Sequence, residues 1–263
     1  MKPCNESEVA FYNTALAHPE FAAWMPTYFG TLSLNDPTDA VADRTSSLVL
    51  QNLTFGFVKP CILDAKLGAQ LWDDAASPEK RARLDAVSDV TTSRSLGMRV
   101  AGMRVWKPEQ GEYKSYDKQY GRTFTAENAI EMLKEYVASG LDAAQVAIVA
   151  KRFRDKVAEV ETVIKNQESR MYSASLLFVY EGDSKAFDLA LADEKMRAAR
   201  PVRDDDDESE DDDDEKAKLV EQVKLIDFAH AQWTPGLGPD ENVLQGVRSI
   251  EMLLAELAVA YAA

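Results

Sequence analysis

Two residue types are nearly missing from this 263-residue sequence, which has only two cysteines and two histidines. Cys4 and Cys61 lie far apart and form neither a metal-ligand nor a redox spacing, which suggests a reducing, intracellular setting. With only His18 and His230, a histidine-rich metal site is excluded. No apolar run approaches the roughly 20 residues that a membrane span needs. No secretory signal pattern opens the chain. Charge, by contrast, is plentiful and lopsided. The net charge is −15, yet residues 204–215 (DDDDESEDDDDE) hold eleven acids, and without them the chain sums to −4. Such a run repels itself and buries nothing, so it is expected to be a disordered, solvated loop.

At 46% hydrophobic, the chain can bury a sizeable core as one large domain or two packed lobes. Residues 59–122 run against the overall acidity, with twelve Lys or Arg against nine Asp or Glu. A local excess of +3 suits a polyanionic substrate, although a solvated basic face gives the same count. So modest a charge without interleaved aromatics argues against direct nucleic-acid binding.

The pattern along the chain is mixed α and β, without an internal repeat. A helix is expected over 6–17 and a turn after Pro19. Strands are expected over 28–32, 46–50, 61–67, 96–106 (one or a pair), 175–180 and 222–228. Thr125 is a plausible cap for a helix over 126–138. Asp142 caps a longer one to about Gln167, whose Val146, Val149, Phe153, Val157, Val160 and Ile164 step by three and four. The last helix, about 240–260, carries Val243, Val247, Ile250, Leu254 and Leu257 on one face. Only 184–218 looks like a linker.

Phosphoryl transfer needs a lysine on nucleotide phosphates, an acid for magnesium, a group that positions the attacking hydroxyl, and positive charge around the transferred group. Asp227 ends an apolar strand in KLIDFAH, where a carboxylate can hold Mg²⁺ or cap a turn. Asp64 and Lys66, two apart in PCILDAKLG, point to one face of their strand beside Gly68. An ordinary cross-strand ion pair has the same spacing. Lys2 precedes Glu8 by six residues, a candidate for the lysine–glutamate pair that kinases use to orient phosphates, or else part of a loose terminus.

Together these elements resemble the inositol polyphosphate kinase family. Residues 60–68 fit its PxxxDxKxG signature. SRSLGMRVAGMRV (93–105), DKQYGR (117–122), SLLFVYEG (175–182), IDFAH (226–230), GPDENVLQG (238–246) and KPCNESEVAFY (2–12) are similar to its further blocks, in the family's order. At Asn242 and Val243 the usual Gly-Tyr is replaced. The short stretch after Gly68 and the lack of a calmodulin-binding insertion are similar to the multikinase branch. The trisphosphate 3-kinases and hexakisphosphate kinases are the alternatives.

The resemblance implies an α+β, two-lobed fold, protein-kinase or ATP-grasp-like. Residues 1–54 form the N-lobe and hinge, and 55–263 the C-lobe with the acidic insert. It also implies a glycine-containing hairpin ahead of Lys2. The sequence opens at Met1, so a truncated N-lobe sheet is expected. ATP and Mg²⁺ are the implied cofactors, with Lys2 and Glu8 at the phosphates and Asp227 on the metal. Asp64 would orient or deprotonate the hydroxyl, and Lys66 would neutralise the transferred phosphoryl. Ser175 would lie near the metal and nucleotide. Adenine would rest on Leu50, Gln51, Asn52 and Leu53, with Asn52 standing where relatives often have an acid. Lys80, Arg83, Lys118, Arg122 and His230 are the candidates for substrate phosphates; for Lys80 and Arg83 the alternative is a solvent-facing helix end. Inositol phosphates, phosphoinositide headgroups and transcription regulators (through the acidic run, which resembles one in fungal members) are the implied partners, in nucleus and cytoplasm. A catalytically weak scaffold is the competing reading.

Overall fold

The computed structural model describes residues 2–3, 5–33, 46–199 and 218–262. In chain order the first half comprises β1 (Lys2–Pro3), α1 (Glu6–Ala15), α2 (Pro19–Ala22), β2 (Tyr28–Ser33), β3 (Ser46–Leu50), β4 (Pro60–Leu67), α3 (Pro78–Asp89), α4 (Thr92–Leu96), β5 (Met98–Lys107), β6 (Glu112–Tyr116) and α5 (Lys118–Gly121). Then follow α6 (Ala129–Val137), α7 (Ala143–Lys165), β7 (Ser169–Met171), β8 (Ser175–Glu181), α8 (Ser184–Ala199), β9 (Glu221–Ile226), β10 (Ala231–Trp233) and α9 (Glu241–Tyr261). No described helix is long and apolar enough to cross a membrane.

The larger sheet has the order β6-β5-β4-β8-β9, antiparallel throughout. Its alternation separates two faces. Leu63, Ala65, Leu176 and Phe178 point into the core, where α6, α7 and α9 cover them with Met132, Tyr136, Phe153, Ile250 and Leu254. Asp64, Lys66 and Ser175 point the other way. The smaller sheet, β1-β3-β2, meets α1 where Tyr28 stacks on Tyr12. An aromatic cluster ties α1 and α2 to the segment around β10: Phe11 of α1 stacks on Phe228 at 5.1 Å and on Trp233 at 4.8 Å, and Phe21 meets both edge-on.

Local chemistry explains most boundaries. Asp142 and Gln145 form a reciprocal capping box that starts α7. The expected strand over 96–106 begins only at Met98, because Gly97 (φ +65°) ends α4 first. The helix expected from Ala126 starts at Ala129, since the side chain of Asn128 accepts from the Thr125 amide and holds a turn there. The expected linker over 184–218 is corrected for its first part. Residues 184–199 form α8, whose Phe187 and Ala190 are buried and whose Asp188 accepts from Gln145 of α7. The acidic run at 204–215 lies outside the described residues.

The fold is closed by a backbone contact between α9 and the α4–β5 junction. A Cβ built on Gly246 would lie 2.1 Å from the Gly97 carbonyl oxygen. Gly246→Ala is therefore expected to cost about 1–3 kcal/mol through overpacking. Thermal denaturation should show it, with Gly102→Ala, whose nearest neighbour is 3.9 Å away, as the near-neutral control.

Candidate active site

The site is assembled where the polar face of the large sheet meets α1. Cross-strand register places Arg99 of β5, Lys66 of β4, Ser175 of β8 and Ile226 of β9 in one row. One residue beyond that row, Asp227 leaves the strand in the left-handed region (φ +66°). For a non-glycine residue that conformation must be held by its surroundings. The next residue supplies the hold: Phe228 is fully buried in the aromatic cluster, and its amide donates to Glu8 Oε1 at 3.2 Å. With Phe228 pinned inward, the Asp227 carboxylate is turned out into the cleft. This also ends the strand expected to reach Phe228 at Ile226.

Three charged contacts converge there. Lys2 Nζ donates to Asp227 Oδ1 at 2.7 Å and to Glu8 Oε1 at 2.9 Å. Lys66 Nζ lies 3.8 Å from Asp227 Oδ2. It donates to the Ser173 carbonyl at 2.6 Å and to Ser175 Oγ at 3.4 Å. The pKa directions follow from burial against partners. Burial raises Asp64, despite the opposing Ser175 hydroxyl and Lys66 charge. Burial lowers Lys66, despite Asp64 and Asp227. Lys2 is half-exposed: burial would lower it, but hydrogen bonds and charges from Asp227 and Glu8 outweigh that and raise it. Asp64 Oδ1 is buried without a hydrogen-bond partner. A carboxylate oxygen in that condition calls for a donor, and a substrate hydroxyl is one.

Of the residues singled out in the sequence, Lys2, Glu8, Asp64, Lys66, Ser175 and Asp227 are brought together. Leu50, Gln51, Asn52 and Leu53 lie at the end of β3 and in the connection that leads to β4. The Gln51 amide donates to the Thr27 carbonyl at 2.8 Å, Asn52 Oδ1 accepts from the Thr54 amide and hydroxyl, and Leu53 is buried. His230 Nδ1 sits 2.5 Å from Asp73 Oδ2, on the wall of an open cleft of ≈ 330 Å³ with Ser7, Asp74, Tyr172 and Gln232. Lys118 and Arg122 are exposed at the two ends of α5. Lys80 is half-buried at the start of α3 and Arg83 is exposed. None of these four side chains contacts the Lys2–Lys66–Asp227 group.

Sequence reasoning missed Arg99. Its Nη1 donates to Ser93 Oγ at 2.8 Å. Burial lowers its pKa, the nearby Arg122 charge adds to that, and Asp64 opposes both. Arg99 thus stands opposite Lys66, within electrostatic reach of both Asp64 and Arg122. The available signal was its place as the polar position between buried Met98 and Val100. Asp73 and Asn242 were missed as well.

Left-handed Asp227 gives a test separable from chemistry. Asn tolerates this region and Ala does not, so Asp227→Ala should lose about 1–2 kcal/mol more stability than Asp227→Asn. Urea denaturation of the two variants reads the difference.

The family model described as inositol polyphosphate kinase matches residues 47–255. The chain is 32% identical to the inositol polyphosphate multikinase of Saccharomyces cerevisiae, covering 95% of this chain and 90% of that one. It is 30% identical to the multikinase of Schizosaccharomyces pombe, covering 95% and 87%. The structure matches a crystal structure of the S. cerevisiae inositol phosphate multikinase in complex with ADP and Mn²⁺, with a TM-score of 0.78, 34% identity and 97% coverage of each chain. Sequence blocks, fold and charged cleft thus agree, and the chain belongs to the inositol polyphosphate kinase family, as an ATP-dependent kinase of α+β fold.

Proposed function

We propose that this kinase is a multikinase, transferring the ATP γ-phosphoryl to hydroxyls of inositol tris- and tetrakisphosphate. The observation that carries the reading is the meeting of Lys2, Lys66 and Asp227 beside the unpartnered oxygen of Asp64.

The residues fit a magnesium nucleotide. Among the described residues no group of three or more His, Cys, Asp or Glu could cage a metal. A carboxylate such as Asp227 suits Mg²⁺, which usually takes one or two carboxylates and completes its shell with phosphate oxygens and water. Bound there, the ion would neutralise charge on the phosphates. Lys2 and Asp227 touch, so they would hold phosphates and metal at one point, with Glu8 orienting Lys2 and Ser175 beside them. Adenine would rest on Leu50, Gln51, Asn52 and Leu53. Asn52 Oδ1 is already taken by Thr54, so its side chain would meet a ribose hydroxyl through Nδ2.

In the transfer, the inositol hydroxyl oxygen forms a bond to the γ-phosphorus as the bond to the bridging oxygen of ADP breaks. The hydroxyl proton passes to Asp64. A carboxylate whose pKa is raised by burial is a better base than a free one. Lys66 and Arg99 offset charge on the moving phosphoryl. His230, Arg122, Lys118, Lys80 and Arg83 are the proposed donors to phosphates already on the ring.

Incubation with Mg-ATP and inositol trisphosphate, followed by ion-exchange chromatography, is expected to yield tetrakis- and pentakisphosphate. A product level no higher than that of Asp227→Asn would sink the reading. A product series that stops at tetrakisphosphate would assign the narrower trisphosphate kinase activity. The same assay across pH tests the base. Only ionised Asp64 accepts a proton, so activity should fall with decreasing pH through an acid limb above the ordinary carboxylate value of 3.8.

The eleven acids of 204–215 support a second role as a docking segment for basic partners such as transcription regulators, in nucleus and cytoplasm. Phosphoinositide headgroups carry the same ring phosphates and are proposed as further acceptors. Deleting 204–215 should leave inositol phosphate turnover unchanged while removing partner capture; lost turnover would place the run in the chemistry instead.

A further inference from the structure

Immediately after the catalytic strand β4, the chain makes a bend that is held almost entirely by side chains from other elements. Asn242, in the first turn of α9, accepts from the amides of Ala69 (2.9 Å) and Gln70 (2.8 Å) through Oδ1. Its Nδ2 donates to the Gln70 carbonyl at 3.0 Å. Ser88 of α3 donates to the Ala69 carbonyl at 2.6 Å, and Ser173 donates to the Leu71 carbonyl at 3.0 Å. Every backbone polar group of Ala69 and Gln70 is thus satisfied from outside the loop, most of them by one amide.

Gly68 fits that arrangement. It sits at φ +92°, and a Cβ there would lie 2.4 Å from Asn242 Nδ2. The Asn242 amide therefore occupies the space that a side chain at position 68 would need. In this way the glycine ending the PCILDAKLG segment and the asparagine of GPDENVLQG form one interlocked joint.

The loop runs from that joint to Asp73, whose carboxylate holds His230 on the wall of the open cleft. It then continues to Ser77, the cap of α3, which carries Lys80 and Arg83. Of the residues that follow the joint, Asp73, Asp74 and Ala75 line the cleft beside His230.

We propose that Asn242 is a positioning residue for the acceptor. By fixing 69–73 it sets where Asp73 and His230 stand relative to Asp64, and so which ring hydroxyl reaches the carboxylate. This rests on the inositol phosphate reading above.

The test compares Asn242→Ala and Ser88→Ala with the unaltered protein, measuring KM for inositol trisphosphate, KM for ATP and the positional isomers formed. Displacement of a holding element by about 1 Å can cost up to 100-fold, so KM for the acceptor is expected to rise roughly 10- to 100-fold. KM for ATP should not change, and the isomer pattern should broaden. A parallel rise in both KM values, or a loss of kcat with the isomer pattern intact, would overturn the proposal by showing general loosening. If Asn242→Ala does not fold, Ser88→Ala, which removes an independent bond to the same loop, decides the matter. Failure of the unaltered protein to phosphorylate the inositol phosphate would instead defeat the functional reading.

Discussion

One buried carboxylate holds the site together. Glu8 is 1% exposed, and a single oxygen, Oε1, receives both the Lys2 ammonium and the Phe228 amide. Breaking such a pair by removing one partner leaves an uncompensated charge, which is strongly unfavourable. Glu8 therefore needs β1 on one side and the end of β9 on the other. The residue between those two attachments in space is Asp227, which is why it projects left-handed into the cleft. Remove the glutamate and Lys2, Asp227 and the aromatic cluster lose their common reference point.

The balance of burial against partners differs across the cleft in a useful way. For Asp64 and Lys66, deep on the sheet face, burial wins, and each is pushed toward its neutral form. For the more exposed Lys2, partners win and the charged form is secured. An incoming polyanion would oppose that shift at Lys66 and reinforce it at Asp64, while Lys2 is favoured in its charged form by its own partners. A nucleotide phosphate strengthens the cationic form of Lys66 as it arrives, since opposite charge favours ionisation.

Much of the architecture could be read from local pattern. The strand over 46–50 and the Asp142-capped helix follow from a short apolar run and a capping box, which are local properties. The Asp64–Lys66 spacing implied a shared face, and that face is the one on which Lys66 approaches Asp227. What escaped was set by distant partners. The helix over 184–199 has only Phe187 and Ala190 to bury among many charges, so its existence depends on α7 and β8 rather than on its own periodicity. Arg99 was not singled out within the strand expected over 96–106, because nothing nearby in sequence shows that Lys66 lies opposite. Asn242 read only as a departure from a pattern, since its partners are more than 170 residues away.

The order of strands in the larger sheet has a consequence for synthesis. The catalytic strand β4 sits between β5, its near neighbour in the chain, and β8, more than 100 residues later. The site closes only when Lys2 meets Asp227, which is 225 positions away. Contacts of such long range form slowly, because loop closure must precede the interactions that reward it. On the ribosome, the nascent chain therefore carries an exposed, half-paired β4 until β8 emerges. Lys2 waits for the 225 positions up to Asp227 to be made before it finds this partner, so the charged cleft forms late in folding.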